Sequence, residues 1–352
     1  MVRQLKYSQA LHEAHRELLA DDPDVLVAGL GVPGPTGIFG TTKDLQDEFG
    51  PERVIDTPSS ENAMTGIALG AAIQGKRPIL VHMRVDFALL SMEPIVNQAA
   101  KWHYMYGGVM RAPLTIRMII GRGWGQGPQH SQSLQSWFAH VPGLKVVMPA
   151  RPYDAKGMLI AAVRDDAPVI VLEHRWLYNL EGPVPDGLYT SPLEGAEVLR
   201  KGSDVTIAAT SHMTIEALRA TELLAEAGVS AEVIDLRCLT PIDGDTLAAS
   251  LAKTGHLVVA DTGQANYGVA AEVIAVAVQR AFGSLKAAPR GVALPAIPTP
   301  TTPALADLFY PDATDIAQAA LDTLGSPAQL PKPDTQGRRW KDTPDPGFTG
   351  PY

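Results

Sequence analysis

Short apolar runs alternate with helical patterns over the first half of the chain. The runs that predict strands are 24–29, 53–55, 78–83, 114–120, 144–148 and 168–173, and the helical patterns are 7–20, 43–49, 61–75 and 91–105. Strands that are apolar along their whole length are typical of a parallel sheet that helices cover on both faces. The pattern therefore predicts one α/β domain over residues 1–185.

The same alternation returns after a segment rich in glycine, proline and turn residues, which we interpret as a linker at 186–203. Strand patterns follow at 204–209, 231–236 and 256–261, with helical patterns at 214–227 and 268–282. They predict a smaller second α/β domain of three strands over 204–325. The fold class is therefore α/β, with two doubly wound domains.

The last segment, 326–352, is rich in proline, aspartate and glycine, and it carries Trp340, Phe348 and Tyr352. Such a composition cannot pack on itself, so the tail is either disordered or laid along a neighbouring chain. The three aromatic residues favour docking.

Composition narrows the class of protein. The chain has 352 residues, 45% of them hydrophobic, and a formal net charge of −9. The acidic balance argues against nucleic acid or an anionic membrane surface as the main partner. Cys238 is the sole cysteine, which excludes an intrachain disulfide, and no apolar run is long enough to span a bilayer. We expect a cytoplasmic protein.

The stretch 56–72 places one acid at a strand-to-helix corner. Pro58 ends a short strand, Ser59 and Ser60 are suitable N-cap residues, and Glu61 opens a helix of small residues. A first-turn carboxylate is favoured by the helix macrodipole, so Glu61 could serve the helix alone. The small residues behind it suit close packing against a backbone or a flat ligand, which favours a positioned functional group.

A glycine-rich loop at 121–133 follows a predicted strand. Its spacing matches neither a dinucleotide nor a mononucleotide phosphate loop. A loop that carries His130 to a site is the better interpretation, although this histidine could be a general acid or base or could simply cap a helix.

Polar residues also gather where the predicted strand 78–83 ends. Strand alternation would place His82, Arg84 and Asp86 on one face. Polar groups at the carboxyl end of a parallel strand commonly face a ligand crevice, although a solvated edge is the open alternative.

From about residue 5 to 322 the chain resembles the β subunit of the thiamine-diphosphate-dependent 2-oxo acid dehydrogenase E1 component, within the transketolase-like superfamily. The motifs that carry the resemblance are DTPSSENAMTGIALGAA (56–72), NQAAKWHYMYGG (97–108), QHSQS (129–133), PGLKVVMP (142–149), YDAKG (153–157) and EVIDLR (232–237). The resemblance implies a pyrimidine-binding domain followed by a transketolase C-terminal-like domain.

The resemblance also implies roles for single residues. Glu61 matches the glutamate that hydrogen-bonds the aminopyrimidine ring of thiamine diphosphate and so activates the exocyclic amine to form the ylid. Phe87 matches the aromatic residue that lies against the pyrimidine. His130 matches the active-site histidine that contacts the substrate or the lipoyl acceptor. His82 and Arg84 match no family residue, and we expect them to contact the substrate because of their place at the end of the predicted strand.

Metals and partners follow from the same resemblance. Some members hold a monovalent cation, usually K⁺, and the matching positions here are Leu114, Ala162, Val163, Asp165 and Ala167. The Mg²⁺ and diphosphate motif, Gly-Asp-Gly followed by Asn, is not matched; the nearest sequence is Asp243-Gly-Asp. We therefore expect a separate α subunit to supply that half of the site, in an α2β2 heterotetramer, with a lipoyl E2 or a carrier protein as a further partner.

Two departures leave the donor open. Gly29-Leu30-Gly31-Val32 stands where typical members carry acids, and Val81 replaces a glutamate. With His82 and Arg84 nearby, an anionic or polyhydroxylated donor would fit. The alternative function is therefore a split transketolase-like enzyme that transfers a two-carbon ketol unit from a sugar phosphate to an aldehyde or a carrier protein. A non-catalytic scaffold is a third hypothesis, which Glu61 and His130 argue against.

Overall fold

The computed structural model describes residues 2–122 and 125–330, which form two compact units. The first unit takes in the described residues up to Ile120 together with Trp137–Leu193. The second contains the described residues of Gly121–Ser136 and those from Glu194 onward. Most of the predicted tail, including Trp340, Phe348 and Tyr352, lies outside the described residues. The predicted domain limits at 185, 203 and 325 stay predictions.

The first unit is built on a parallel sheet. The strands of this unit, inside and outside the sheet, are β1 (Val2–Lys6), β2 (Val25–Gly29), β3 (Val54–Asp56), β4 (Arg77–His82), β5 (Thr115–Ile120), β6 (Lys145–Val147), β7 (Val169–His174) and β8 (Glu181–Pro185). Its α-helices are α1 (Tyr7–Asp21), α2 (Leu45–Phe49), α3 (Glu61–Ile73), α4 (Val85–Ala88), α5 (Ala100–Met105), α6 (Gln135–Ala139, which begins in the second unit) and α7 (Pro152–Arg164). In the described residues, six strands form the sheet in the order β3-β2-β4-β5-β7-β6, all parallel.

The centre of this sheet is fully buried. Every residue of β5 and of β7 is buried, which explains why both strands are apolar almost throughout. The two charged exceptions form an ion pair: Arg117 in β5 binds Glu173 in β7 through two hydrogen bonds of 2.5 and 2.7 Å. Strands β1 and β8 pair antiparallel as a separate ribbon, outside the main sheet.

The second unit has its own sheet. Its strands are β9 (Glu197–Arg200), β10 (Val205–Ala209), β11 (Ala231–Asp235), β12 (Leu257–Gln264) and β13 (Arg290–Leu294). Its α-helices are α8 (His212–Glu226), α9 (Gly244–Thr254), α10 (Val269–Ala281), α11 (Pro303–Phe309) and α12 (Ala313–Leu324). Among the described residues the strand order is β13-β12-β10-β11-β9, parallel except at the β9 edge.

The α/β class and the two-sheet plan are as predicted, but several elements differ. The second sheet has five strands in the described residues rather than three, and β9 lies inside the segment interpreted as a linker. The predicted helix at 91–105 is a π-helical segment at Pro94–Ala99 followed by α5. Strand β9 escapes the sequence pattern because it is a short edge strand that alternates between half-buried and exposed positions.

Candidate active site

Three neighbouring parallel strands of the first unit end side by side. Gly29 at the end of β2 pairs with Asp56 of β3 on one side and with Val81 of β4 on the other. A Cβ on Gly29 would lie 2.5 Å from the carbonyl oxygen of Val81, so this row of the sheet requires glycine. The Asp56 carboxylate accepts a 2.8 Å hydrogen bond from the Gly31 amide, which fixes the turn after β2.

Helix α3 begins at this edge with Glu61 as its first residue. Ser60 is the N-cap residue, but its side chain makes no capping hydrogen bond. The Glu61 side chain is half-buried, and within residues 2–122 and 125–330 its carboxylate has no hydrogen bond or ion pair. The helix macrodipole favours the charge there, but within the described residues the carboxylate accepts no hydrogen bond that would stabilise the fold. It is a carboxylate available to a ligand.

Thr65, one turn further along α3, connects Glu61 to β4. Its hydroxyl donates a 2.8 Å hydrogen bond to the Glu61 carbonyl oxygen and lies 3.5 Å from Nε2 of His82. Burial lowers the pKa of His82 to about 4, so the imidazole is neutral at pH 7. His82 therefore adds no positive charge to this edge. Thr65 had no signal in the sequence because a threonine inside a helix is ordinary.

Strand β4 ends at His82, so the predicted alternation does not continue to Arg84 and Asp86. Arg84 instead precedes α4 as its N-cap residue, and Asp86 lies within that helix. His82, Arg84 and Asp86 are all buried, at 6%, 5% and 9% exposure, which does not fit the solvated-edge alternative. Arg175, which the sequence analysis missed, is also part of this region: burial, and then the charge of Arg84, lower its pKa to about 9. The Arg175 guanidinium is therefore still charged at neutral pH.

Phe87 lies on α4 with 42% of its surface exposed. Its amide donates a 3.2 Å hydrogen bond to the Arg84 carbonyl oxygen, which holds it in the turn that leaves β4. An exposed ring on a backbone fixed in this way can stack on a flat aromatic ligand.

His130 belongs to the second unit, in the loop that precedes α6. Gly125 and Gly127 adopt positive φ, and a Cβ on Gly127 would lie 3.0 Å from the hydroxyl oxygen of Thr301. The His130 amide donates a 3.3 Å hydrogen bond to the Gly127 carbonyl oxygen, and the residue is half-buried. The described part of this loop therefore consists of turns that the glycines Gly125 and Gly127 allow. Gly123 and Trp124 lie outside the described residues.

Comparison with known proteins decides the family. Residues 3–181 match the model of the transketolase pyrimidine-binding domain, and residues 194–316 match that of the transketolase C-terminal domain. The β subunit of the acetoin:2,6-dichlorophenolindophenol oxidoreductase of Cupriavidus necator is 43% identical over 334 residues, which cover 92% of this chain and 98% of the relative. The pyruvate dehydrogenase E1 component β subunit of Bacillus subtilis is 40% identical over 322 residues, covering 91% and 99%. The chain belongs to the family of E1 β subunits.

Solved structures agree on the fold. A split-gene transketolase described as an inactive β4 tetramer superposes with a TM-score of 0.72 at 22% identity, over 91% of this chain and 98% of that one. The E1 β family depends on thiamine diphosphate. The Glu61 carboxylate, which has no partner among the described residues, and the exposed ring of Phe87 fit the aminopyrimidine half of that cofactor.

In this E1 β chain the segment Asp243-Gly-Asp, which is the nearest sequence to the Gly-Asp-Gly motif, has a structural role. Asp243 caps helix α9 by accepting hydrogen bonds from the amide and the hydroxyl of Thr246 and from the Ala196 amide. Burial alone would raise the pKa of the Asp243 carboxyl group. The hydrogen bonds together have the larger effect, so this pKa lies below its ordinary value. In residues 2–122 and 125–330 no group of three or more histidine, cysteine or acidic side chains could hold a metal ion.

The positions matched to a monovalent cation do not fit one in this E1 β chain. The Asp165 carboxylate accepts from the Lys145 ammonium at 2.5 Å and from the Ala167 amide at 2.8 Å. The Leu114 carbonyl oxygen accepts from the Val169 amide at 3.0 Å, and the Ala162 carbonyl from the Asp165 amide at 3.3 Å.

The Val163 carbonyl oxygen binds a guanidinium group, that of Arg77, at 2.8 Å. A second unit charge about 4 Å from that guanidinium would be opposed by about 4 kcal/mol at an effective dielectric constant near 20.

None of the helices in the described part of the chain combines the length and the hydropathy needed to cross a bilayer.

Proposed function

We propose that this chain is the β subunit of a two-subunit, thiamine-diphosphate-dependent enzyme that cleaves the bond beside the carbonyl of a small donor. The donor is a 2-oxo acid, which is decarboxylated, or a related α-hydroxyketone, and the acyl unit passes to a lipoyl group or another acceptor. The proposal rests on the half-buried carboxylate of Glu61 in the first turn of α3, which has no hydrogen-bond or ion-pair partner in the part of the chain that the structure describes.

Thiamine diphosphate, when bound, supplies a carbon nucleophile whose formation requires its own amino group as the base. In this proposal the Glu61 carboxyl group would share a proton with a ring nitrogen of the aminopyrimidine, and Phe87 would provide an aromatic surface for that ring. The Thr65 hydroxyl fixes the backbone of Glu61. A positioned acid of this kind contributes about 10²- to 10⁴-fold in rate.

His82 and Arg84 are proposed to act on the donor side of the site. His82 is neutral at pH 7, so it contributes a side chain but no charge to this region. Arg84 and Arg175, in contrast, bring two positive charges near the end of β4. A donor with an anionic group fits this arrangement. His130 is proposed to contact the donor or the acceptor, on the strength of its match to the family histidine.

An α-type subunit is proposed to supply the diphosphate and Mg²⁺ site, in an α2β2 heterotetramer. One face of α3 supports such an assembly. Ala63, Gly66, Ile67 and Gly70 are exposed on it. Apart from the adjacent backbone of α3 itself, no atom of the described residues lies within 4 Å of a Cβ built on either glycine. Exposed apolar residues at the end of α5 and just after it add to the surface available for a partner, namely Tyr104, Met105 and Val109.

The proposal is tested by assembling the chain with its co-encoded α-type partner and measuring turnover with thiamine diphosphate, Mg²⁺ and an artificial electron acceptor. We expect turnover with pyruvate or acetoin that falls about 10²- to 10⁴-fold in Glu61→Gln. The matched control is Glu272→Gln, since Glu272 is an exposed acid in the first turn of α10. Equal activity of Glu61→Gln and the wild type would refute the proposed role and revive the scaffold hypothesis.

A second candidate, ketol transfer from a sugar phosphate, is favoured by the two arginines and by the loss of acids at Leu30 and Val81. Leu30 is exposed and Val81 is buried at the end of β4. Turnover with ketose phosphates and an aldehyde acceptor, with none from 2-oxo acids or acetoin, would favour this candidate. A cytoplasmic location is expected for either function.

A further inference from the structure

We propose that the guanidinium group of Arg77 is a built-in cation that occupies the monovalent-cation position of this chain. The fold then carries its own positive charge at the end of α7 and has no need of K⁺. The inference concerns a structural site and is independent of the donor and of the acceptor.

The contacts of Arg77 are those of a cation held by backbone oxygens. Nη1 donates to the Val163 carbonyl oxygen at 2.8 Å and to the Asp165 carbonyl oxygen at 3.2 Å, and Nη2 donates to Asp166 Oδ1 at 3.1 Å. Val163 and Asp165 are two of the five positions that the family resemblance assigns to the cation. The same oxygens that would ligate an ion thus accept hydrogen bonds from a side chain.

The electrostatic setting suits a fixed cation. Val163 lies in the last turn of α7, where carbonyl groups without intrahelical partners carry partial negative charge. Arg77 neutralises that end, and its side chain is 26% exposed. Arg111 Nη1 binds the second carboxylate oxygen of Asp166 at 2.9 Å, so Asp166 holds two guanidinium groups.

The remaining acid is neutralised by another residue of the chain. Asp165 is paired with Lys145 at 2.5 Å, and its other carboxylate oxygen accepts from the Ala167 amide. Lys145 begins β6 and Arg77 begins β4, so two strands each send a cation to the segment that follows α7. A potassium ion would have to displace Arg77 and would meet the charge of Lys145.

The position of Arg77 also gives it a structural task. Its backbone amide donates to the Asp24 carbonyl oxygen at 2.9 Å, while its side chain binds residues 86 and 88 positions later in the sequence. The guanidinium therefore ties the start of β4 to the end of α7. Without it, the freed carbonyl oxygens of Val163 and Asp165 would be able to coordinate an ion.

The test is the thermal unfolding midpoint of the purified full chain in KCl, NaCl and tetramethylammonium chloride at equal ionic strength. We expect the wild type to unfold at one temperature in all three salts. We expect Arg77→Ala to unfold at a lower temperature, with partial recovery in KCl only. A site that bound K⁺ with a dissociation constant tenfold below the salt concentration would shift the folding equilibrium about elevenfold.

The matched control is Arg53→Ala. The Arg53 guanidinium also donates hydrogen bonds to carbonyl oxygens, those of Asp22 at 2.6 Å and Val25 at 3.0 Å. No cation position is expected at this place. This variant should lose stability equally in all three salts. Selective stabilisation of the wild type by K⁺ would overturn the inference, and so would an Arg77→Ala variant that behaves like Arg53→Ala.

A second measurement covers the case in which Arg77→Ala fails to fold. Crystals of the wild type grown in RbCl and measured at the rubidium absorption edge should show no anomalous peak beside the Val163 and Asp165 carbonyl oxygens. A peak at that place would show that an ion binds despite Arg77, and would overturn the inference.

Discussion

The hydroxyl group of Thr65 donates a 2.8 Å hydrogen bond to the carbonyl oxygen of Glu61. Since Glu61 is the first residue of α3, this bond fixes the turn from which its carboxylate projects. The hydroxyl also lies 3.5 Å from Nε2 of His82, so helix α3 and strand β4 meet at this threonine.

We predict that Thr65→Val weakens thiamine diphosphate binding to the assembled enzyme. Loss of one hydrogen bond corresponds to about 1 kcal/mol, or about a fivefold change in affinity. Thr65→Ser retains the hydroxyl and should bind the cofactor like the wild type. Calorimetric titration of the cofactor measures the change, and equal affinity of the valine variant would show that Thr65 does not position Glu61.

We predict that His82 makes stability depend on pH. Its pKa is about 4 in the folded chain and about 6.5 when unfolded, because burial disfavours the imidazolium. Between these values the unfolded chain binds the proton more tightly, so the free energy of unfolding falls by about 1.4 kcal/mol per pH unit as the pH drops. The contribution of neutral His82 to the free energy of unfolding is fully present above about pH 6.5.

His82→Gln should flatten this dependence in denaturant titrations at a series of pH values. Part of the slope will remain, since burial and then Arg117 lower the pKa of His15 as well. His140→Gln removes an exposed imidazole and is the matched control. A slope that does not change in His82→Gln would mean that His82 is not held neutral by the fold.

We predict that Gly66→Leu blocks assembly without harming the fold of the chain. Apart from the adjacent backbone of α3, a Cβ at Gly66 would have no neighbour within 4 Å among the described residues, and leucine is a better helix former than glycine by roughly 0.5–1 kcal/mol. The variant should therefore unfold at or above the wild-type temperature, yet its partner affinity should fall at least about tenfold because the side chain holds two backbones apart. Sedimentation velocity with the α-type partner measures the loss.

Ala249→Leu places the same side chain on the exposed face of α9 and is the control for added surface hydrophobicity. It should assemble like the wild type. Normal assembly of Gly66→Leu would exclude this face of α3 from the interface.

We predict that Glu173→Gln is strongly destabilising. Glu173 is fully buried, and it accepts two bonds from Arg117 and one of 2.8 Å from the Tyr178 hydroxyl. The substitution leaves the Arg117 charge buried without its partner, at a cost of about 3–5 kcal/mol in urea unfolding. The control is Glu48→Gln, which breaks an exposed pair with Arg16 and should change little. Equal effects would mean that water reaches the buried pair.

The pattern of apolar and polar residues within each segment was sufficient to predict the sheet of the first unit. Its strands are short apolar runs because both faces are covered, and this signal lies within each segment. The corner that holds Glu61 was predicted for the same reason, since a helix start is encoded by a few adjacent residues. Strand β13 was missed because it contains glycine and two exposed residues, so it lacks an apolar run.

Contacts between distant segments could not be predicted in this way. Arg77 binds residues 86 and 88 positions away, and Arg175 is brought near Arg84 only by the order of the strands. Neither arginine belongs to a motif. The sequence therefore shows the cation positions carried over from the family, but it does not show that the Arg77 guanidinium donates to the carbonyl oxygens of two of them, Val163 and Asp165.

The most direct test of the central claim is calorimetric titration of thiamine diphosphate with Mg²⁺, first into this chain alone and then into its assembly with the α-type partner. We expect binding that appears only with the partner and weakens in Glu61→Gln. Tight binding to the isolated chain, or to the Glu61→Gln assembly at wild-type affinity, would contradict it.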